Sequence, residues 1–446
     1  MKRWFFTVMA LMMLLAGLFG CSSSNTNSDG SSGKPTYSND KVINMWADCP
    51  PLAYEARLRQ YKDAGFTYYN LTQDGGSINS DYYKNAFGLC KEIGLDVIVR
   101  SYDNTSGYVN NYDKKFIDDF TYDLRDYDNF VGLYMWDEPD HAQIDEIADT
   151  IVDWYNADYS DNYLWSINLY PSYAGRAFGT AENMRTDGTA YENYVNTYVD
   201  KVLSKVEGKK YIGLDHYGMS SGSGRKYISD SMLYDYIVVK KAADRVGADF
   251  TTCVQTYEGP RKITMAAEVR FHMFLGLCCG CVNFEFYTYL TTGTETAMVE
   301  GSGALNDLYY YVKEVNTEIH KLEQTYLSFK WNGIYTVVGS ENEEGFCDAF
   351  DAVAQFALPK LDGVESVKSR YDTLIGAFSD EQKRNGYMVL NYTEPTDKLL
   401  NVVEMNVGNY KNALVYQGGE PIEYKTVKGK LTLRLQPGEA VFVIPY

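Results

Sequence analysis

FVGLYMWDEPDHAQIDEIADTIVDWY, residues 130–155, runs a β-strand straight into an α-helix. Phe130 to Trp136 is short, apolar and aromatic, the composition of a buried strand. Pro139 ends it, because proline cannot donate to a ladder. From Gln143 to Tyr155, Ile144, Ile147, Ala148, Ile151, Val152 and Tyr155 fall on one face at spacings of three and four. That is one amphipathic helix. The same grammar repeats along the chain, with strand candidates at Val42–Ala47, Phe66–Leu71, Leu95–Ser101, Tyr163–Leu169, Tyr211–His216, Phe250–Thr256 and Val282–Thr288. A helix from Pro51 to Ala64 opens on proline and stops at Gly65, the expected punctuation. Strands alternating with helices imply parallel strands and right-handed crossovers. Eight such units in residues 41–329 predict an α/β fold, a (β/α)8 TIM barrel. An open doubly wound sheet is the competing arrangement, but no Gly-rich phosphate fingerprint follows the first strand.

After Phe329 the pattern changes to short strands separated by turns. Ile334–Val338, Asp372–Phe378, Tyr387–Asn391, Leu399–Asn406, Leu414–Tyr416, Leu431–Gln436 and Ala440–Ile444 predict a small C-terminal antiparallel β-sandwich over residues 330–446.

The front of the chain reads as an export signal over residues 1–20. Lys2 and Arg3 precede an apolar run, Trp4 to Leu18, that is short for a bilayer span. Leu18-Phe19-Gly20-Cys21 resembles the bacterial lipoprotein processing box, which implies lipidation at Cys21 and a Ser-rich tether over residues 21–40. The expected location is the extracellular face of the bacterial membrane, held by the N-terminal lipid alone. The other cysteines, Cys49, Cys90, Cys253, Cys278, Cys279, Cys281 and Cys347, are odd in number and scattered. They do not form a disulfide framework. Cys278 and Cys281 have a C-x-x-C spacing without a second pair or a histidine nearby, so no metal is expected. A net charge of −19 repels phosphate backbones and argues against a nucleic-acid partner. The chain carries 41 Tyr, 20 Phe and 6 Trp, side chains that offer a stacking face with a polar tip.

In a (β/α)8 barrel the reactive groups gather at the C-terminal ends of the strands. Read in order, those ends give Trp46 and Asp48; Asp103 after strand three; Trp136, Asp137 and Glu138; Asn168 and Tyr170; Asp215, His216 and Tyr217; Gln255, Tyr257 and Glu258; and Glu285 and Tyr287. Carboxylates, amides and aromatics hydrogen-bond and stack on sugars and make a poor transition-metal set. No inward lysine appears on these strands, as a lyase or isomerase base would require. No cofactor is expected. On strand eight, Asn283, Glu285, Tyr287 and Tyr289 share one face while Phe284 and Phe286 share the other, so Glu285 should point into the barrel. A buried charge there must be paired or used, and Arg100 is the obvious partner for a purely structural role.

Trp136-Asp137-Glu138-Pro139 resembles the Asn-Glu-Pro that ends strand four in clan A glycoside hydrolases of the beta-galactosidase type. The resemblance implies that Glu138 is the general acid/base. The clan's asparagine is Asp137 here, whose charge would raise the pKa of Glu138. A capping role for Asp137 or Asp140 at the following helix is the plain alternative. Clan A places its nucleophile at the end of strand seven, which implies Glu258, with Glu285 as the rival and Asp215 as a hydroxyl ligand. The activity so implied is hydrolysis of O-glycosidic bonds in an oligo- or polysaccharide. Retention requires carboxyls about 5–5.5 Å apart and inversion about 6.5–9.5 Å. A non-catalytic glycan-binding lipoprotein on the same scaffold is the second reading, and it would lack an acid facing Glu138. His216 suits either a substrate contact or a structural histidine.

Overall fold

The computed structural model describes residues 34–48, 55–72, 81–100, 124–156, 163–178, 188–291, 296–341 and 348–446. Cys21 and Asp103 lie outside them. The chain runs β1 (Asn44–Ala47), α1 (Glu55–Asp63), β2 (Tyr68–Thr72), α2 (Asp81–Ile93), β3 (Asp96–Arg100), β4 (Phe130–Asp137), α3 (His141–Tyr155), β5 (Leu164–Leu169), α4 (Gly188–Lys201) and β6 (Tyr211–Leu214). A hairpin follows, β7 (Met219–Gly222) and β8 (Arg225–Ile228), then α5 (Asp230–Val246), β9 (Asp249–Gln255), α6 (Ala266–Cys278), β10 (Asn283–Tyr287) and α7 (Asp307–Tyr326).

Eight of these strands form one parallel sheet in the order β1-β10-β9-β6-β5-β4-β3-β2. Its two end strands meet at a seam, where the Thr67 N–H donates to the Met45 carbonyl at 2.9 Å and the Thr67 hydroxyl accepts from the Met45 N–H at 2.9 Å. The sheet is a nearly closed barrel, and the open-sheet alternative falls. Inside it Trp46, Ile98, Tyr134 and Leu164 form a separate apolar cluster. The outer faces of the strands pack on the helices instead. Phe286 meets the edge of Phe66 at 5.2 Å, and the Phe284 ring lies so close to Gly276 of α6 that an added Cβ would approach it to 3.0 Å. Burying each such ring stabilises the fold by roughly 1.5–3 kcal/mol.

One irregularity in β4 sets the site. Its pairing with β5 passes from Tyr134↔Ser166 to Trp136↔Ile167, so Met135 is an extra residue. A bulge of this kind reverses the in–out phase of a strand. Tyr134 joins the inner cluster, Met135 and Trp136 both join the outer one, and Asp137 again faces the barrel axis.

The C-terminal strands are β11 (Phe329–Val337), β12 (Ser366–Ser369), β13 (Thr373–Asp380), β14 (Asn385–Asn391), β15 (Asn401–Asn406), β16 (Asn412–Gln417), β17 (Glu420–Lys425), β18 (Lys430–Leu435) and β19 (Ala440–Pro445). They make two antiparallel sheets, β11-β13-β14-β19-β16-β17 and β12-β15-β18. Ile375, Val389, Val415 and Val443 of the first meet Val403, Leu431, Leu433 and Leu435 of the second in a shared core. This region grips the barrel through α6 and α7. Trp331 Nε1 donates to the Cys278 carbonyl of α6 at 2.9 Å, and the Thr325 hydroxyl of α7 donates to the Tyr416 hydroxyl at 2.7 Å. Among the described residues, Cys90, Cys253, Cys278, Cys279 and Cys281 are buried free thiols.

Candidate active site

At the C-terminal end of the barrel a cavity of about 300 Å³ is lined by Asp48, Arg100, Tyr134, Asp137, Glu138, Asn168, Asp215, Tyr217, Cys253, Tyr257, Glu285 and Tyr287. Five carboxylates share it with one guanidinium. Arg100 pairs with Asp48 at 2.8 Å and Asp137 at 3.6 Å, its plane 4.5 Å from the centre of the Tyr134 ring. It therefore does not serve as the structural counter-ion of Glu285. Because of the bulge, the Tyr134 hydroxyl reaches Asp137 Oδ1 at 2.7 Å. Asn168 crosses the hollow, its Nδ2 donating to the Tyr134 hydroxyl at 3.0 Å and to Glu285 Oε2 at 2.9 Å.

Glu138 stands where the strand ends, with φ at +50°. A non-glycine residue in that region carries strain of order 1–3 kcal/mol, sustained only by its surroundings. Here the Glu138 N–H donates to the Asn168 carbonyl at 2.9 Å, and the Tyr194 hydroxyl donates to the Pro139 carbonyl at 2.7 Å. Helix capping falls to Asp140, whose carboxylate accepts from the Gln143 N–H at 2.8 Å while the Gln143 side chain accepts from the Asp140 N–H. That capping box leaves Asp137 and Glu138 to the cavity.

Burial, then the charges of Asp215 and Asp137, push the Glu138 carboxyl up to about 8. Burial likewise raises Glu285 to about 8 against the Asn168 hydrogen bond, which favours its ionised form. Asp215 rises to about 7 through burial and the charge of Asp137, although Tyr217 and Cys253 hydrogen-bond to it. Burial raises Asp137 as well, opposed by Arg100. A carboxyl with such a donor holds its proton less tightly than one without. Among the described residues Glu138 receives no side-chain hydrogen bond, whereas Glu285 has the Asn168 donor.

These shifts carry a stability consequence. A carboxyl with a native pKa near 8 and an unfolded value near about 4.3 binds more protons when folded between those two values. Stability is therefore greatest at the acid side of that window and falls as pH rises through it, by up to about 1.4 kcal/mol per pH unit for each group. Glu285→Gln removes one such group and should flatten the decline. Thermal melts at pH 5 and pH 8 check this, and equal slopes in variant and wild type would refute it.

The hollow brings together most of the residues that the strand ends nominate, and the exceptions are informative. Trp46 is fully buried in the inner barrel cluster and stacks on Tyr68 at 6.1 Å, so it supports the site from within and offers no surface to a ligand. Trp136 points outward to the helices because of the bulge. Gln255 is buried and is absent from the cavity lining. His216 is fully buried, its Nδ1 2.7 Å from Asp235 Oδ2, and so takes the structural alternative. Tyr170 is half-buried beside Glu138, outside the lining. Tyr217, Tyr257 and Tyr287 form one aromatic group, with ring centres 5.1–5.8 Å apart.

Glu258 is the main departure from expectation. Its carboxylate pairs with Lys262 at 2.7 Å and does not line the cavity. The Gly259-Pro260 turn carries it along the loop, leaving Glu285 as the glutamate that shares the hollow with Glu138, beside Asp48, Asp137 and Asp215. Glu258→Gln should change kcat/KM by no more than about twofold, the ordinary effect of a substitution away from any special feature. A loss of a hundredfold or more in steady-state assays would restore it as the nucleophile. Tyr134 and Cys253 belong to the lining although their strand positions lie deeper than the rim, and so does Arg100, the last residue of β3. Among the described residues no group of three or more His, Cys, Asp or Glu is disposed to hold a metal ion.

No protein-family model matches the chain, and no curated protein does. Solved structures that it is similar to are glycoside hydrolases. They include alpha-L-fucosidase isoenzyme 2 from Paenibacillus thiaminolyticus, at 9% identity and a TM-score of 0.45 over 91% of this chain and 100% of that one. A catalytic mutant of a GH42 beta-galactosidase from G. stearothermophilus aligns at 9% identity and a TM-score of 0.43, over 92% and 99% of the two chains. A putative alpha-L-fucosidase from Bacteroides thetaiotaomicron aligns at 14% identity and a TM-score of 0.40, over 56% and 87%.

Proposed function

We propose that the protein is a glycoside hydrolase using Glu138 as general acid/base and Glu285 as nucleophile. The observation that carries this reading is the pair of buried glutamates lining one hollow, of which, among the described residues, Glu285 has a side-chain hydrogen-bond donor that favours its carboxylate and Glu138 has none. Glu138 gives its proton to the glycosidic oxygen as the Glu285 carboxylate attacks the anomeric carbon, releasing the alcohol and leaving a glycosyl ester. Water then attacks that carbon, Glu138 takes its proton, and Glu285 departs as carboxylate. Two displacements return the original anomeric configuration. The partner is an oligo- or polysaccharide, and two acids in one hollow favour turnover over simple glycan binding. The lipoprotein-like start of the chain supports anchoring at the outer face of a bacterial membrane.

The test is a panel of aryl glycosides offered to the purified protein, with the first-formed anomer followed by NMR. Release of the aryl group with retained configuration is expected. No release from any member would end the hydrolase reading, and an inverted product would end the covalent route. Activity should peak near pH 8, rising as Glu285 ionises and falling as Glu138 loses the proton it must donate.

A further inference from the structure

Tyr173 follows β5 on the loop at the cavity's edge, and 53% of its surface is exposed. An exposed tyrosine is ordinary in itself. What is unusual is how firmly buried groups hold this one. Its hydroxyl accepts from the Tyr217 N–H at 3.2 Å, beside a cavity residue. Its ring stands edge-on to His216, with centroids 5.0 Å apart at 79°. His216 is fixed by Asp235, and the same Asp235 oxygen accepts from the Ser172 N–H at 2.8 Å, one residue before the ring. Both Asp235 and His216 are fully buried. A buried polar pair is costly unless its hydrogen bonds are used, and here they fix the position of a ring that faces solvent. The hydroxyl end is enclosed, and burial, with the charges of Asp215 and Glu138, disfavours its ionisation.

We propose that Tyr173 is the stacking wall for the leaving group, selecting glycosides whose departing half is itself a sugar or aryl ring. This rests on the glycosidase reading above. A rigid aromatic face contributes binding with little ordering cost, because its rotamer is already fixed. It lies outside the twelve residues of the hollow, where it meets what extends beyond the sugar being attacked.

The experiment compares three substrates of one glycon that the wild type accepts: the glycosyl fluoride, the 4-nitrophenyl glycoside and a disaccharide. Tyr173→Ala should lower kcat/KM by about tenfold on the disaccharide and the nitrophenyl glycoside, the scale of a lost stacking contact. On the fluoride, which has no ring to stack, the change should stay within about twofold. Tyr173→Phe keeps the ring and should stay near wild type on all three. Equal losses on all three substrates, or none on any, would overturn the wall while wild-type turnover keeps the hydrolase reading. A wild type that turns over no glycoside would overturn both.

Discussion

Glu138→Gln should lower hydrolysis of glycosides with unactivated leaving groups by about 10²–10⁴-fold, the usual contribution of a general acid. The amide is nearly isosteric and has no proton of suitable acidity to give. Activated leaving groups need less help, so the deficit should shrink on a dinitrophenyl glycoside in the bond-breaking step. Sugar binding should survive, because Asp137, Asn168, Asp215 and the four tyrosines of the hollow remain. Glu285→Gln should fail on both kinds of substrate, since no carboxylate is left to form the glycosyl ester. Steady-state kinetics on the two leaving groups, with calorimetric titration of an oligosaccharide, separate these roles. Full activity of Glu138→Gln would remove it from the mechanism.

The second large effect lies away from the chemistry. Arg261, just beyond β9, places one guanidinium nitrogen 2.8 Å from Glu268 of α6 and the other 2.8 Å from Glu394 of the C-terminal region. All three side chains are buried to within 1%. Removing one member of such a group leaves uncompensated charge in the interior and costs about 3–5 kcal/mol. Arg261→Met strands two carboxylates, leaving Lys226 at 3.2 Å from Glu268 and the hydrogen-bond donors of Thr264, Met265 and Thr396 to offset them. Chemical denaturation should show the whole of that loss, and adding Glu268→Gln and Glu394→Gln should recover much of it. A shift below 1 kcal/mol for Arg261→Met would mean that water reaches the triad. Arg261 also touches the Ser220 and Tyr227 carbonyls of the β7–β8 hairpin, so the same change should loosen the loop leading from β6.

The barrel was legible because its signal is periodic and repeated. Each strand reads as a short apolar run and each helix as a stripe, and the eight strands appear within a few residues of their expected bounds. The C-terminal sheets were legible where strands alternate, as in Leu431, Leu433 and Leu435. β17 escaped because it is an exposed edge containing Pro421, and the β7–β8 hairpin because its Gly-Ser content resembles a loop. Within the site, Glu138 was nominated by its strand end and by the clan A resemblance of Asp137-Glu138-Pro139, and Glu285 by the alternation of its strand. Trp136 was misplaced because strict alternation fails at a bulge, and a register shift leaves no mark in composition. Glu258 was misplaced for a different reason. Proximity in sequence to a strand end does not fix direction once the backbone turns at Gly259-Pro260.

Asn168 has a consequence for which guests fit. Both hydrogens of its amide are committed, one to Tyr134 and one to Glu285. Its oxygen faces Gly213, where an added Cβ would approach it to 2.2 Å. The lone guanidinium is committed to Asp48 and Asp137. Around it stand five acidic side chains and the hydroxyls of Tyr217, Tyr257 and Tyr287. The hydroxyls of a polyol can both give hydrogens to and take them from such a lining. A phosphorylated or uronic unit brings further negative charge to an acidic hollow and should bind more weakly.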